Sequence, residues 1–202
     1  MGIRSLKTAS ISTGTKRSKV WDQSAVYSLS AYESIATTAV GAGGTSSISF
    51  TSIPSTYKHL QLRMINRSST SGTGSDWVVA SFNGDTTASN YSWHYLAGDN
   101  AAPSAGSSTT ASGLRIGLQW SSTAAASGIF HGAVVDILDY QDTNKYKTMR
   151  ALCGSNTDSG TYNDVFSLSG NWHSSSAVNS ITITSNWTLG QYSHVALYGI
   201  KG

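Results

Sequence analysis

The sequence is short of cysteine, proline and acid: among 202 residues there are one Cys, two Pro and a single glutamate, Glu33. Each shortage excludes something. A lone thiol, Cys153, forms no intrachain disulfide, so the cross-linked scaffold of a small secreted protein is ruled out. Charged residues make up only 11% of the chain, and the Ala, Leu, Glu and Lys that long helices want do not recur at helical spacing. No apolar core of roughly 7–15 residues follows the N-terminal charges, as a secretory signal would require. Nothing approaches the ~18 consecutive apolar residues of a membrane span. These absences predict a soluble protein made in a cytoplasm, with no membrane insertion.

What is abundant is Ser and Thr, together more than a quarter of the residues, with 20 Gly and a scatter of aromatics. Thr and aromatic residues suit strands, while Ser and Gly suit the turns between them. The longest apolar stretch runs from Gly128 to Gly154. Ile129, Phe130, Val134, Val135, Ile137 and Leu138 crowd into it, and Gln141-Asp142-Thr143-Asn144 breaks it before a second β-prone run, Tyr146 to Cys153. This reads as a hairpin at the centre of a sheet. Because its first arm is apolar at both odd and even positions, it is expected to be covered on both faces.

Further strands are expected over 33–40, 46–51, 58–66, 76–83, 91–97, 113–120, 163–170, 178–185 and 192–200. Alternation is clearest where Leu60, Leu62 and Met64 interleave with His59, Gln61 and Arg63. Gly41 to Gly44 and Asn83-Gly84-Asp85 are turn signals. The low-complexity stretches 100–112 and 121–127 read as loops. The expected fold is all-β, an antiparallel β-sandwich of jelly-roll type over residues 26–202, preceded by an extended N-terminal arm over residues 1–25.

The charge is unevenly placed. Arg4, Lys7, Lys16, Arg17 and Lys19 face only Asp22 in the first 25 residues, whereas the rest of the chain is close to neutral. A cationic leader of this kind meets an acidic protein surface or phosphate. With Trp21 as an apolar anchor it reads as a partner-docking arm, set against the alternative of a frayed chain end. Five basic residues without interleaved aromatics make few phosphate contacts, which argues against nucleic acid as the partner.

No catalytic pattern emerges. Asp136 and Asp139 project to opposite faces of one expected strand, and Asp142 and Asn144 are better placed to bond their own turn, so calcium finds too few converging oxygens. His59, His94, His131, His173 and His194 are scattered among different strands without ligand spacing for zinc, and His131 reads as a core residue. Neither a nucleophile elbow nor a phosphate-cradling loop occurs. No cofactor and no enzymatic activity are therefore expected. Of Trp77, Trp93, Trp120, Trp172 and Trp187, most are expected in the core. Trp93 and Trp172, beside polar loops, are the candidates for stacking on a glycan.

Four phrases carry a resemblance. Thr13-Gly-Thr-Lys-Arg-Ser-Lys-Val-Trp-Asp-Gln stands near the start, and Ser52-Ile-Pro-Ser-Thr-Tyr-Lys-His-Leu60 opens a strand. Asp136-Ile-Leu-Asp-Tyr-Gln-Asp-Thr-Asn-Lys-Tyr-Lys-Thr148 and Ala196-Leu-Tyr-Gly-Ile-Lys201 follow. Together they resemble small β-rich virion structural proteins of tailed bacteriophages, of the aquatic and cyanobacterial type. The resemblance implies an assembled, trimeric particle component with an N-terminal attachment arm, of a kind found on tails, baseplates, fibres and capsid surfaces alike. The expected role is a part of the tail, fibre or baseplate apparatus, bound to copies of itself and to other virion proteins. Capsid decoration and a carbohydrate-binding receptor module are the alternatives it leaves open.

Overall fold

The computed structural model describes residues 31–99, 101–157 and 163–202. The arm expected over residues 1–25, with its five basic side chains and Trp21, lies outside these. The strands are β1 (Tyr32–Ala39), β2 (Thr45–Phe50), β3 (His59–Asn66), β4 (Ser75–Phe82), β5 (Tyr91–Asp99) and β6 (Pro103–Ala111). After them come β7 (Leu114–Trp120), β8 (His131–Leu138), β9 (Lys147–Ser155), β10 (Asp164–Trp172), β11 (Ile181–Leu189) and β12 (His194–Ile200). All pair antiparallel, in an eight-stranded sheet ordered β1-β12-β3-β8-β9-β10-β5-β6 and a four-stranded sheet ordered β2-β11-β4-β7.

The strand order explains the shape. With β5, β6, β9 and β10 set aside, β1-β12-β3-β8 lies opposite β2-β11-β4-β7. That is the order of a jelly roll, in which the chain crosses between the sheets at nearly every turn. The remaining strands are two inserted hairpins, β5–β6 between β4 and β7 and β9–β10 between β8 and β11. Both add to the same side of the large sheet, so it overhangs the small one.

Alternation builds the core. Leu60, Leu62 and Met64 on β3, Val135 and Ile137 on β8, and Leu197 on β12 point inward against Ile48, Val78, Ile116, Ile181 and Ile183 of the small sheet. Burying each of these large aliphatics contributes about 1.5–3 kcal/mol. His131 is buried as expected, with its Nε2 at 3.0 Å from Asp164 Oδ1.

At the join between sheets, Asn83 (φ 53°) and Gly84 (φ 71°) take the left-handed conformation their residue types favour. The Asn83 amide donates to the Ala177 carbonyl at 2.8 Å and its Oδ1 accepts from Asn179 and Ser180.

Two expectations fail. The stretch 100–112 is not one loop: Pro103–Ala111 forms β6, the outermost strand of the large sheet. Proline is tolerated at the first position of an edge strand, and an edge strand open on both faces needs no hydrophobic pattern to mark it. The second is the double covering of the 129–139 segment. β8 is fourth in its sheet, but a sandwich covers only one face of each sheet, and Val134 on the other face is 42% exposed.

Candidate functional site

Two places on the molecule depart from an ordinary sandwich, one on each face of the large sheet. The first is its outer face. On the outer face of β3, β8, β9, β10 and β5, two neighbouring rows carry aliphatics that point away from the core, Val134, Leu152 and Leu96 in one and Ile65 and Val165 in the other, and Leu152 is 61% exposed. Gly132 and Gly154 face each other between Ile65 and Val165, and these residues with Val134 and Leu152 form the floor of an open depression of about 560 Å³. Nothing lies within 4 Å of where a Gly132 side chain would start.

A polar row borders this stripe. Gln61 donates to Asp136 at 2.8 Å, Arg63 donates to Gln61 at 3.0 Å, and Arg150 pairs with Asp136 at 3.5 Å. The Arg63 guanidinium also lies over the Tyr198 ring, 5.4 Å from its centroid. An apolar centre with a hydrogen-bonded polar border is the anatomy of a protein interface. A contiguous exposed aliphatic patch is uncommon on a protein that stays alone.

The second place is the inner face of the overhang. Here the small sheet ends at β7, which meets only part of β10 and β5, and long aromatic side chains reach across to that edge. Trp77 packs on Tyr95 (5.5 Å between centroids) and edge-on to Phe166 (5.1 Å). Arg115 of β7 is held between Trp77 and Trp93, 4.2 Å and 3.7 Å from their centroids. Burial draws its guanidinium below its ordinary pKa, against the opposing effect of Tyr95 and Asp76. Beyond this cluster, Trp120, Tyr95 and Phe166 wall a cleft of about 180 Å³ with Asp99 and Asp164 among its polar residues.

No family model, curated protein or solved structure matches this chain.

The aromatic candidates are reassigned. Trp172 is only 3% exposed, packed against Phe82 and Tyr91, and its indole donates to Asp85 Oδ2 at 2.8 Å. Both of its faces and its donor are used within the fold, so it contacts no ligand. Its polar neighbours misled because Asp85 is a partner of the indole and not a surface group. That partnership holds the Asp85 carboxyl down to about 2, with the Thr87 amide and Asn90 adding to it. Trp93 is half-buried, with Arg115 on one face, and it borders a shallow depression beside Ser108 and Ser169.

The acidic candidates are separated as well. Asp136 lies on the outer face, whereas Asp139 leaves the end of β8 with φ 46° and is neutralised by Lys145 and by Lys58 at 3.1 Å. Those hydrogen bonds, Lys145 first, lower its carboxyl to about 2. Asp142 accepts the Asn144 amide at 2.8 Å, the local turn bond expected of it. Burial pushes the Cys153 thiol up to about 12, which leaves it unreactive.

Ser155, His131 and Asp164 are neighbours on the inner face of β8, β9 and β10. Ser155 Oγ accepts the Trp120 indole at 3.0 Å, His131 Nε2 is engaged by Asp164, and no hydrogen bond joins the serine to the histidine. A nucleophile needs that contact with its base.

The outer stripe was partly legible in sequence. Val134 belongs to the even-numbered apolar positions that made the 129–139 run apolar on both sides. Ile65, Leu152, Val165 and Leu96 each look unremarkable alone, and only the strand order places them side by side.

Proposed function

We propose that this chain is a structural protein of a tailed-bacteriophage virion, a part of the tail, fibre or baseplate apparatus. In this reading it associates with copies of itself, as a trimer, through the outer face of the large sheet. It attaches to other virion proteins through residues 1–25, where Arg4, Lys7, Lys16, Arg17 and Lys19 meet an acidic surface and Trp21 anchors the contact. The observation that carries the reading is the aliphatic stripe across five neighbouring strands with its polar border. Burying it against like faces around a symmetry axis removes apolar surface from water that the monomer leaves exposed. The sequence resemblance supports the class of assembly, and ordering of a cationic arm on a partner follows the usual logic of coupled folding and binding.

The test has two parts. Light scattering of the full chain gives the mass in solution, and a monomer at all concentrations overturns the self-association. Phage particles are then assembled with the chain either intact or deleted for residues 1–25. The deleted form is expected to keep the oligomer mass and to be absent from particles; its incorporation at the normal level removes the docking role. Labelled intact particles that show the protein on the head shell would reassign it to capsid decoration.

A further inference from the structure

We infer that the cleft under the overhang, between β5, β10 and the β4–β7 edge, binds a single neutral sugar ring, a hexopyranose at the end or side of a glycan. The site stands apart from the assembly surface, because it opens on the inner side of the large sheet and the aliphatic stripe lies on the outer side.

Size comes first. At about 180 Å³ the cleft is smaller than the roughly 300–1,000 Å³ of pockets for drug-sized ligands, and it suits one ring. Rings form part of a largely polar wall: Trp77, Tyr95, Trp120 and Phe166 line the cleft, and the mutual packing of Trp77, Tyr95 and Phe166 holds three of them in place. The C–H faces of a pyranose stack on such rings, whose amphipathic character favours ligands that are apolar on one side and polar on the other.

The polar groups specify what the rest of the ligand must be. Asp164 is 5% exposed; its Oδ1 accepts from His131 and from the Ser155 amide, and its buried Oδ2 has no protein partner. A buried carboxylate oxygen left without a donor is costly, and a hydroxyl arriving with the ligand would satisfy it.

Asp99 lies directly opposite Asp164 in the β5–β10 pairing. Like charges at opposed positions destabilise a sheet, so this pairing favours a ligand rich in donors. Asp99 Oδ1 accepts the Ala101 and Ala102 amides, which hold the carboxyl below its usual range and keep it ionised. Two carboxylates repel anionic ligands, while Ser75, Ser104 and Asn163 add further polar groups suited to hydroxyls. Among the described residues no three acidic, His or Cys side chains converge, and calcium would need six or more oxygens. A neutral polyol remains as the ligand that uses both the rings and the carboxylates.

The experiment is a titration of the full-length ¹⁵N-labelled chain with glucose, galactose, mannose and N-acetylglucosamine, and separately with tetramethylammonium as a cationic competitor, read at the tryptophan indole N–H signals. At least one sugar should give saturable shifts of the Trp77 and Trp120 indoles. Asp164→Asn keeps an Oδ1 acceptor and replaces the unpartnered oxygen; it should weaken binding about tenfold, the worth of a charge-assisted hydrogen bond. Asp99→Asn, at an exposed position that carries no core packing, should weaken it several-fold and covers the case in which Asp164→Asn fails to fold. Tyr146→Ala, an exposed aromatic outside the cleft, should leave it unchanged. Three outcomes overturn the inference: no saturable shift with any of the four sugars, binding of tetramethylammonium in place of sugar, or sugar affinity unmoved by both aspartate variants.

Discussion

The jelly-roll body and the four-strand overhang solve the same problem with different side chains. In the body, two sheets face each other at the usual ~10 Å spacing, and the space is filled by Leu60, Leu62, Val78, Ile116, Val135, Ile137, Ile181, Ile183 and Leu197. In the overhang the small sheet ends at β7; Met149, Ala151, Cys153 and Leu168 still join the core, and beyond them the reach is made by Tyr91, Trp93, Tyr95, Phe166 and Trp172. Aliphatic side chains interdigitate and leave nothing open. Rings that lean across a missing layer leave gaps between them, and the cleft with Asp99 and Asp164 is such a gap. The difference teaches that this fold places its closed core and its accessible chemistry in separate parts of one sheet.

The largest effect that distinguishes the two parts is expected from side-chain truncation. Leu62 is fully buried between the sheets, and Leu62→Ala should cost about 2–5 kcal/mol in urea denaturation, as buried leucines do. Phe166 is larger, but it is half-buried in the overhang. Phe166→Ala should cost only about 1–2 kcal/mol, because part of the ring already meets solvent. Equal losses would mean that the overhang is packed as tightly as the body. Hydrogen exchange sharpens the same point: amides of β6, the edge strand, should exchange ahead of those of β3 and β12.

A smaller effect separates the parts by charge. Asp139 in the body and Asp85 at the root of the overhang both sit at about 2, against 3.8 for the unfolded carboxyl. The unfolded chain therefore binds protons first as acid is added. The stability these groups contribute is complete above about pH 4 and is lost as the pH falls toward 2.

The causes differ. Asp139 is held chiefly by Lys145 and Lys58, both half exposed, so its share should shrink in high salt. Asp85 is held chiefly by the neutral indole of Trp172, so its share should persist. Thermal melts from pH 2 to 5, at low and high salt, check this with Asp85→Asn and Asp139→Asn. A salt-sensitive acid transition in Asp139→Asn contradicts the assignment.

How much of this could be read from sequence follows from what local patterns carry. Period-two alternation marked the strands of the body because one side of each is buried, as in the Leu60–Leu62–Met64 row. It could not mark β6, whose Ser, Thr, Gly and Ala residues face solvent on both sides. It also misjudged β8, since two apolar sides look the same whether the second is covered by protein or left open. The overhang itself is a property of strand order: Asp99 and Asp164 lie 65 residues apart in the chain, and only the β5–β10 pairing makes them neighbours. Trp172 shows the converse limit, a tryptophan near polar residues that turns out to be buried with one of them.

The smallest effect on stability should accompany the largest on assembly. The aliphatic stripe crosses from the body, at Ile65 and Val134, into the overhang, at Leu152, Val165 and Leu96. On this face the two parts do not differ, which is what a shared interface requires. Gly132 sits in the floor of the depression, and a side chain built there meets nothing within 4 Å. Gly132→Glu therefore adds no clash within the chain and should change its unfolding free energy by less than about 0.5 kcal/mol, the range for surface substitutions. A carboxylate in the middle of an apolar contact is another matter, since burying it unpaired is prohibitive. Sedimentation at matched concentration should show the variant as a monomer where the parent chain is an oligomer. If Gly132→Glu keeps the parent's mass while Leu152→Glu also does, the stripe is not where copies meet, and the overhang's outer side has to be explained without a partner.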